Sequence, residues 1–379
     1  MTWFRIAQAA IGCVLVCACG SGAPTNPVAA QTPTQPGAGA SVLVSFTDHP
    51  PTVTLFKMDG SVLATVPGYS VGDEHAFGAY LVMATERGGS ESTVDAKGVI
   101  RPVAPAAAKL LTPELSPLVL DPSTAIIGCL QTPTESEANS SCTAAEINMT
   151  TGSVRPLLTV PGTGELSMAL GRSLTLLDVS PDLKTVWLRR VTGATAASGQ
   201  MPSGQIDIIG VDRRTGAVVI RALPKALMYG ELAVTRDGKF AAGQEEAGAN
   251  SQHLAIRHLH VVSLATGVDT DVQGSAPYVG GLRAPSILFA PDGSTVAWWG
   301  GLDNGSSNFR VNVATSGSTG KTEYPLTNIG ALVSAVVWID HTRLLVQNLQ
   351  VKQTFTIDVE SGIVVQVPGE IPYLLGVLN

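Results

Sequence analysis

Ser70 is a candidate nucleophile because it stands at the centre of the Gly-x-Ser-x-Gly segment Gly68–Gly72. A catalytic serine of this kind lies on a sharp turn between a strand and a helix. The residues on both sides of the segment have strand character, and no helical pattern follows it. The sequence therefore predicts a turn between two sheets and no hydrolase site.

The glycine-rich segment Gly317–Thr322 contains the second half of a phosphate-binding loop. A complete loop also needs a glycine five residues before Gly320 and a helix after it, because its backbone N–H groups cradle the phosphates at a helix start. Thr315 stands at the first of these positions, and no helical pattern follows. The segment predicts a glycine-rich hairpin.

Three of the six histidines, His253, His258 and His260, lie close together in the sequence. On a strand, His258 and His260 point to the same face, and His253 has the opposite parity. Two imidazoles could bind a metal if acidic residues converged on them from neighbouring elements, but the sequence identifies no such partner. We expect structural or surface histidines, with no metal or other cofactor.

Tryptophans recur beside a series of turns, at Trp187, Trp298, Trp299 and Trp338. Large aromatic rings fill the space between packed sheets, so we expect most of them in the core. Trp298 and Trp299 are adjacent and must face opposite ways on a strand. One of that pair could therefore line a binding surface.

An internal repeat organises most of the chain. The segments LLDVSPDLKTVWL, LAVTRDGKFAAG and ILFAPDGSTVAWW align on Asp182, Asp237 and Asp292, which are spaced 55 and 55 residues apart. Weaker copies surround Asp121 and Asp340, and the poorest surrounds Asp73. Each copy predicts two strands joined by a tight turn, in which the aspartate bonds nearby backbone N–H groups. We interpret these aspartates as turn formers and not as paired catalytic acids.

A second hairpin follows each first one, and its turns occur seven times against six for the first. Four strands per repeat of about 53 residues predict an all-β fold, a single β-propeller. The orphan strand Ile371–Leu378 would supply the missing first strand of the first blade and so close the ring. We expect seven four-stranded blades, with six or eight as alternatives because Tyr69–Pro105 diverges from the repeat.

The turn sequences VSPDLK, TRDGK and APDGS resemble the repeats of TolB-like and WD-repeat-like bacterial propellers. The resemblance covers roughly Ser173–Val367 and is faint over Val42–Gly162. It implies the propeller fold. TolB-like proteins also carry a separate N-terminal α/β domain, which this sequence has no room for, so a specific TolB role does not follow.

The N-terminus predicts export. Arg5 precedes the apolar run Ile6–Ala18, which is too short to span a bilayer and has the order of a secretory signal. The end of that run, through Ala18 and Cys19, resembles the lipobox of bacterial lipoproteins, which implies cleavage before Cys19 and its acylation, with palmitate among the lipids. An ordinary secretory signal is the alternative. We divide the chain into a signal (1–18), a lipidated cysteine with a flexible Pro/Gly-rich linker (19–41) and the propeller (42–379).

Two cysteines remain after the signal and the lipidation site are set aside, Cys129 and Cys142. In an oxidising compartment they predict one disulfide, across a polar loop between adjacent strands. Closing so short a loop stabilises the fold by about 3 kcal/mol on the chain-entropy model. A reactive thiol pair is the alternative, but the spacing is not Cys-x-x-Cys.

The net charge of −7 and the lack of a Lys/Arg cluster argue against nucleic acid as a partner. We expect a monomeric, membrane-anchored extracytoplasmic module of the bacterial cell envelope that binds or scaffolds an envelope protein or a small ligand. The alternative is a propeller enzyme, lactonase-like or another hydrolase, with a metal in the central channel.

Overall fold

The structure is a computed structural model. It describes residues 41–70, 80–85, 91–111, 117–131, 141–161, 174–195, 203–223, 232–249, 255–272, 287–300, 310–325, 333–348 and 352–378. Among these residues, none forms a helix with the length and apolar character that a membrane crossing requires.

Seven four-stranded antiparallel sheets form the blades of a propeller. The strands of each blade are given in hydrogen-bonding order. Blade 1 contains β28 (Leu374–Leu378), β1 (Val42–Asp48), β2 (Pro51–Lys57) and β3 (Val62–Pro67). Blade 2 contains β4 (Tyr69–Ser70), β5 (Tyr80–Thr85), β6 (Ser92–Asp95) and β7 (Ile100–Pro102). Blade 3 follows a short helix, α1 (Pro105–Ala108), and contains β8 (Leu118–Asp121), β9 (Thr124–Gln131), β10 (Cys142–Asn148) and β11 (Val154–Val160).

The remaining four blades follow the chain in the same order. Blade 4 contains β12 (Leu174–Val179), β13 (Thr185–Thr195), β14 (Ser203–Asp212) and β15 (Val218–Ala222). Blade 5 contains β16 (Leu232–Val234), β17 (Phe240–Ala249), β18 (Ala255–Ser263) and β19 (Asp269–Asp271). Blade 6 contains β20 (Ile287–Phe289), β21 (Thr295–Gly300), β22 (Arg310–Thr315) and β23 (Thr322–Pro325). Blade 7 contains β24 (Val333–Trp338), β25 (Arg343–Asn348), β26 (Gln353–Asp358) and β27 (Val364–Gln366).

The first strand of each blade faces the centre of the ring. β12, β16, β20, β24 and β28 contact one another in succession, as strands around a channel must. The last strand of a blade lies at the rim, and all five residues of β15 are exposed. The channel is therefore lined by first strands and by the turns that follow them.

Both faces of a blade are apolar because each blade is packed between two neighbours. Ile208 and Ile209 are adjacent on β14 and point in opposite directions. Ile208 packs with Val262 of blade 5, whereas Ile209 packs with Ile126 of blade 3. This arrangement explains why the strands read as almost continuous apolar runs and not as strict alternation.

The C-terminal strand closes the ring. β28 pairs antiparallel with β1, with Val42 opposite Leu378 and Leu43 opposite Val377. Leu374 packs between blades 7 and 1, and Leu375 packs on the other side of β28. The predictions of an all-β fold, of seven four-stranded blades and of closure by the C-terminal strand are confirmed. The sequence has one first hairpin fewer than second hairpins because blade 1 takes its first strand, β28, from the other end of the chain.

Candidate functional site

The two glycine-rich motifs lie in ordinary parts of the blades. Ser70 belongs to the two-residue strand β4, in which it pairs with Ala84 of β5. It thus lies in a strand and not in the predicted turn, while the preceding Gly68 has a positive φ of 80°. The segment Gly317–Thr322 joins β22 to β23 in a hairpin, as predicted.

His258 and His260 both lie on β18 and each meets an aspartate of β19. His260 is buried, and its Nδ1 lies 2.9 Å from Oδ1 of Asp269. His258 is partly exposed, and its Nδ1 lies 3.5 Å from Oδ2 of Asp271. His253 falls outside the described residues. Within the described part of the chain, no group of three or more His, Cys, Asp or Glu side chains could hold a metal ion.

Each turn aspartate among the described residues accepts a backbone N–H two residues further on, and Asp73 lies outside those residues. Asp182 Oδ1 accepts from Lys184 at 3.2 Å and from the Ser180 hydroxyl at 2.7 Å. Hydrogen bonds from Lys184 and Ser180 lower the pKa of the Asp182 carboxyl to about 2. The same bond is made by the other predicted turn aspartates, Asp121, Asp237, Asp292 and Asp340.

Cys129 and Cys142 form a disulfide between the adjacent strands β9 and β10, with their Cα atoms 5.0 Å apart. This pairing is as predicted. Cys19 and the whole proposed signal and linker up to residue 40 lie outside the described residues, so the lipidation of Cys19 stays a prediction.

The tryptophans pack between blades. The indole N–H of Trp187 donates to the carbonyl of Arg236 in blade 5 at 2.9 Å, and that of Trp338 donates to Leu288 in blade 6 at 3.0 Å. Trp298 is buried in the core between blades 5 and 6. The side chain of Trp299 falls outside the described part of the structure, so its role in a binding surface stays open.

A cavity of about 190 Å³ lies between blades 3 and 4, beside the turns of the first hairpins of blades 4 and 5. It is formed by the first strands of blades 3 and 4 and by the turns that follow the first strands of blades 4 and 5. Its lining is mostly apolar and contains one acidic and one basic side chain. The lining residues are Leu118, Val119, Leu120, Asp178, Val179, Ser180, Pro181, Leu183 and Arg236.

Asp178 is brought to this cavity by a β-bulge. The register of β12 against β13 shifts between Leu176 and Asp178, and such a bulge re-aims the side chain that follows it. The Asp178 carboxylate is 24% exposed, and its Oδ2 lies 3.2 Å from Nε of Arg236. Burial raises the pKa of the Asp178 carboxyl, although Arg236 and the N–H of Val179 stabilise the anion.

Arg236 is held at two points, which leaves one edge of its guanidinium for a ligand. Its carbonyl accepts the indole N–H of Trp187, and its Nε contacts Asp178. Among the described residues, its two Nη groups make no hydrogen bond. The side chain as a whole is 41% exposed.

Leu183 has an unusual backbone conformation, with a positive φ of 57°. A bulky residue in the left-handed region costs roughly 1–2 kcal/mol, so it persists only where its surroundings hold it. Here Nη1 of Arg213 donates to the carbonyl of Leu183 at 2.6 Å. Arg213 is in turn fixed by Glu146, whose carboxylate lies 2.7 Å from both Arg213 Nη2 and Arg155 Nη2.

Asp178, Leu183 and Arg236 are site residues that the sequence did not predict, although the repeat contains a signal for them. Aligned on the turn aspartate, each of them departs from the residue type found at its position in two other blades. The counterparts are Ala233 and Leu288 for Asp178, Gly238 and Gly293 for Leu183, and Pro181 and Pro291 for Arg236. The three departures converge only in the folded ring, where they line one cavity.

No family model matches the chain, and no curated protein matches its sequence. Solved structures do match its fold. A protein of Bacteroides fragilis assigned as a 6-phosphogluconolactonase is 13% identical, with 91% of this chain and 99% of that chain covered and a TM-score of 0.47. An oligogalacturonate lyase in complex with manganese is 11% identical, with coverages of 87% and 85% and a TM-score of 0.47.

A variant of the apocarotenoid oxygenase of Synechocystis is 9% identical, with coverages of 89% and 91% and a TM-score of 0.48. At these identities the similarities concern the fold alone. They carry no argument about the chemistry of this chain.

Proposed function

We propose that this chain is a lipid-anchored propeller of the bacterial cell envelope that binds a ligand in the cavity beside the first turns of blades 4 and 5. The observation that carries the binding role is the cavity itself. It combines an apolar wall with an arginine whose Nη groups have no partner among the described residues. Ligand sites in proteins have this composition, an apolar surface with a few polar groups that fix orientation.

The proposal of an envelope location rests on the N-terminal sequence. Ala18 and Cys19 resemble a lipobox, and the residues that follow have the composition of a tether. We expect the Cys19→Ala variant, expressed in a bacterial host that acylates lipoproteins, to leave the membrane fraction. We also expect wild-type protein to carry an acyl mass on Cys19. A variant that still fractionates with membranes, together with a wild-type protein that carries no acyl mass, would contradict the anchor.

The binding role is tested by filling the cavity. The full chain is incubated with the small-molecule extract of the host envelope and analysed by native mass spectrometry. Leu183→Trp places a larger side chain in the cavity wall, and Ile220→Trp is the control because Ile220 is exposed on the rim strand β15. We expect a bound compound in the wild type and in Ile220→Trp, and its loss in Leu183→Trp.

Two results would overturn the binding proposal. The first is the same set of adducts, or none, in all three proteins. The second is recovery of the compound in chemically altered form, which would favour a propeller enzyme in place of a binding module.

A further inference from the structure

We propose that the cavity binds a small carboxylic acid with an apolar body, whose carboxylate is held by the Nη groups of Arg236. This inference rests on the proposed function, because it names the ligand class of the same cavity. Three observations carry it: the contacts of Arg236, the apolar wall of the cavity, and the conformation of Leu183.

Arg236 is pre-organised for a planar anion. A guanidinium presents its N–H donors in a rigid fork that matches the two oxygens of a carboxylate. The contact of its Nε with Asp178 restricts the motion of this side chain, and the bond from Trp187 to its carbonyl fixes the backbone that carries it. Less entropy is then lost when a carboxylate binds, which favours binding.

The wall of the cavity selects an apolar body of limited size. Leu118, Leu120 and Leu183 line it, and its volume is about 190 Å³. An aliphatic chain of a few carbons attached to the carboxylate fits this space. Transfer of that chain from water to the wall supplies the apolar part of the affinity.

Leu183 occupies a turn position whose backbone conformation favours glycine. Gly238 and Gly293 adopt the same left-handed conformation in the corresponding turns of blades 5 and 6, with φ of 68° and 74°. Glycine has this conformation without strain. Leucine at this position leaves an apolar side chain 44% exposed beside the cavity. A bound aliphatic chain would cover it.

Substitutions at Asp178 and Arg236 should change the affinity for a carboxylate in opposite directions. A ligand carboxylate on Arg236 lies near the Asp178 carboxylate, and two like charges at short range repel each other. Replacing Asp178 by asparagine removes that repulsion and keeps the side-chain shape. The affinity for a carboxylate should therefore rise in Asp178→Asn and fall in Arg236→Gln, whereas the affinity for a neutral analogue should change little in either variant.

The experiment measures binding of sodium hexanoate, hexan-1-ol and hexylammonium chloride to the full chain by ligand-observed NMR titration. All proteins are kept in the same detergent, so that partition of the probes into micelles is common to all of them. For eight heavy atoms we expect a Kd for hexanoate on the order of 1 mM. We expect at least tenfold weaker binding in Arg236→Gln, and severalfold tighter binding in Asp178→Asn.

Leu183→Gly tests the apolar wall separately. Glycine suits this turn, so we expect the variant to fold, and we expect it to bind hexanoate about fourfold more weakly because apolar contact is lost. Arg236→Gln also retains the backbone carbonyl that accepts the bond from Trp187, and the indole fluorescence of the variant reports whether that packing is intact.

Three results would each contradict the proposal that the ligand is a carboxylic acid. They are equal binding of hexanoate and hexan-1-ol, absence of hexanoate binding, and an unchanged affinity for hexanoate in Arg236→Gln. The proposed function would survive such a result if Leu183→Trp still abolished binding of a compound from the envelope extract. It would fail as well if that compound were also absent. The two experiments thus distinguish a cavity that binds a different class of ligand from a cavity that binds no ligand.

Discussion

Gln347 holds the start of the closing strand through two hydrogen bonds to its backbone. Its Nε2 donates to the carbonyl of Ile371 at 2.7 Å, and its Oε1 accepts the N–H of Leu374 at 2.6 Å. All three residues are buried. Without the glutamine, these two buried backbone groups lose a hydrogen-bond partner, so we predict that Gln347→Leu destabilises the closure of the ring.

The expected loss of stability comes from two backbone groups, the Ile371 carbonyl and the Leu374 N–H, which lose their hydrogen-bond partner. A buried backbone group without a hydrogen bond costs about 2 kcal/mol, so two of them cost about 4 kcal/mol. Replacing a buried amide by an apolar side chain of similar volume returns about 1 kcal/mol. We therefore expect the free energy of unfolding to fall by about 3 kcal/mol.

Two measurements on the full chain check this prediction. Urea denaturation should show the lower stability, and hydrogen exchange should show faster exchange of the amides in β28 and in its partner β1. The control is Gln366→Leu, because Gln366 is exposed on the rim strand β27. A loss below about 1 kcal/mol in Gln347→Leu, with normal protection of β28, would refute the reasoning.

Three further predictions concern the turns and the disulfide. Replacing Cys129 and Cys142 by alanine should lower the free energy of unfolding by about 3 kcal/mol, measured by denaturation beside reduced wild-type protein. Gly238→Ala should cost about 1–3 kcal/mol more than Gly216→Ala, because a Cβ at Gly238 overlaps the Trp187 ring whereas Gly216 faces open space at a similar positive φ. The turn aspartates have folded-state pKa values below the ordinary value, so they stabilise the fold at neutral pH. That contribution is lost as the pH falls from about 4 towards 2, and denaturant midpoints should fall over this range; constant midpoints would contradict it.

Much of the fold could be predicted because a propeller repeats one local unit. Turn aspartates such as Asp182 and Asp237 bond the backbone within their own turn, so residues close in sequence report the turn directly. The surplus of one second hairpin pointed to closure by the last strand. The segment around Ser70 was harder, because β4 has two residues and a strand so short leaves little pattern.

The candidate site could not be predicted in the same way. Asp178, Leu183 and Arg236 each depart from the repeat, but a departure in one copy does not say which others it will meet. Their meeting depends on the bulge in β12, on the packing of Trp187 under the turn of blade 5, and on the inward position of the first strands. These are tertiary relations between blades.

By itself, the sequence determined the repeating hairpins, the pairing of Cys129 with Cys142 and the number of blades. Each of these depends on local patterns or on the count of such patterns. The tertiary structure decided where a ligand could bind, because curving seven sheets into a ring places the first strands of different blades side by side. That closure brings Asp178 of blade 4 beside Arg236 of blade 5, which are 58 residues apart in the chain. Arg213, fixed by Glu146 of blade 3, holds Leu183 in a conformation that its own turn would not favour.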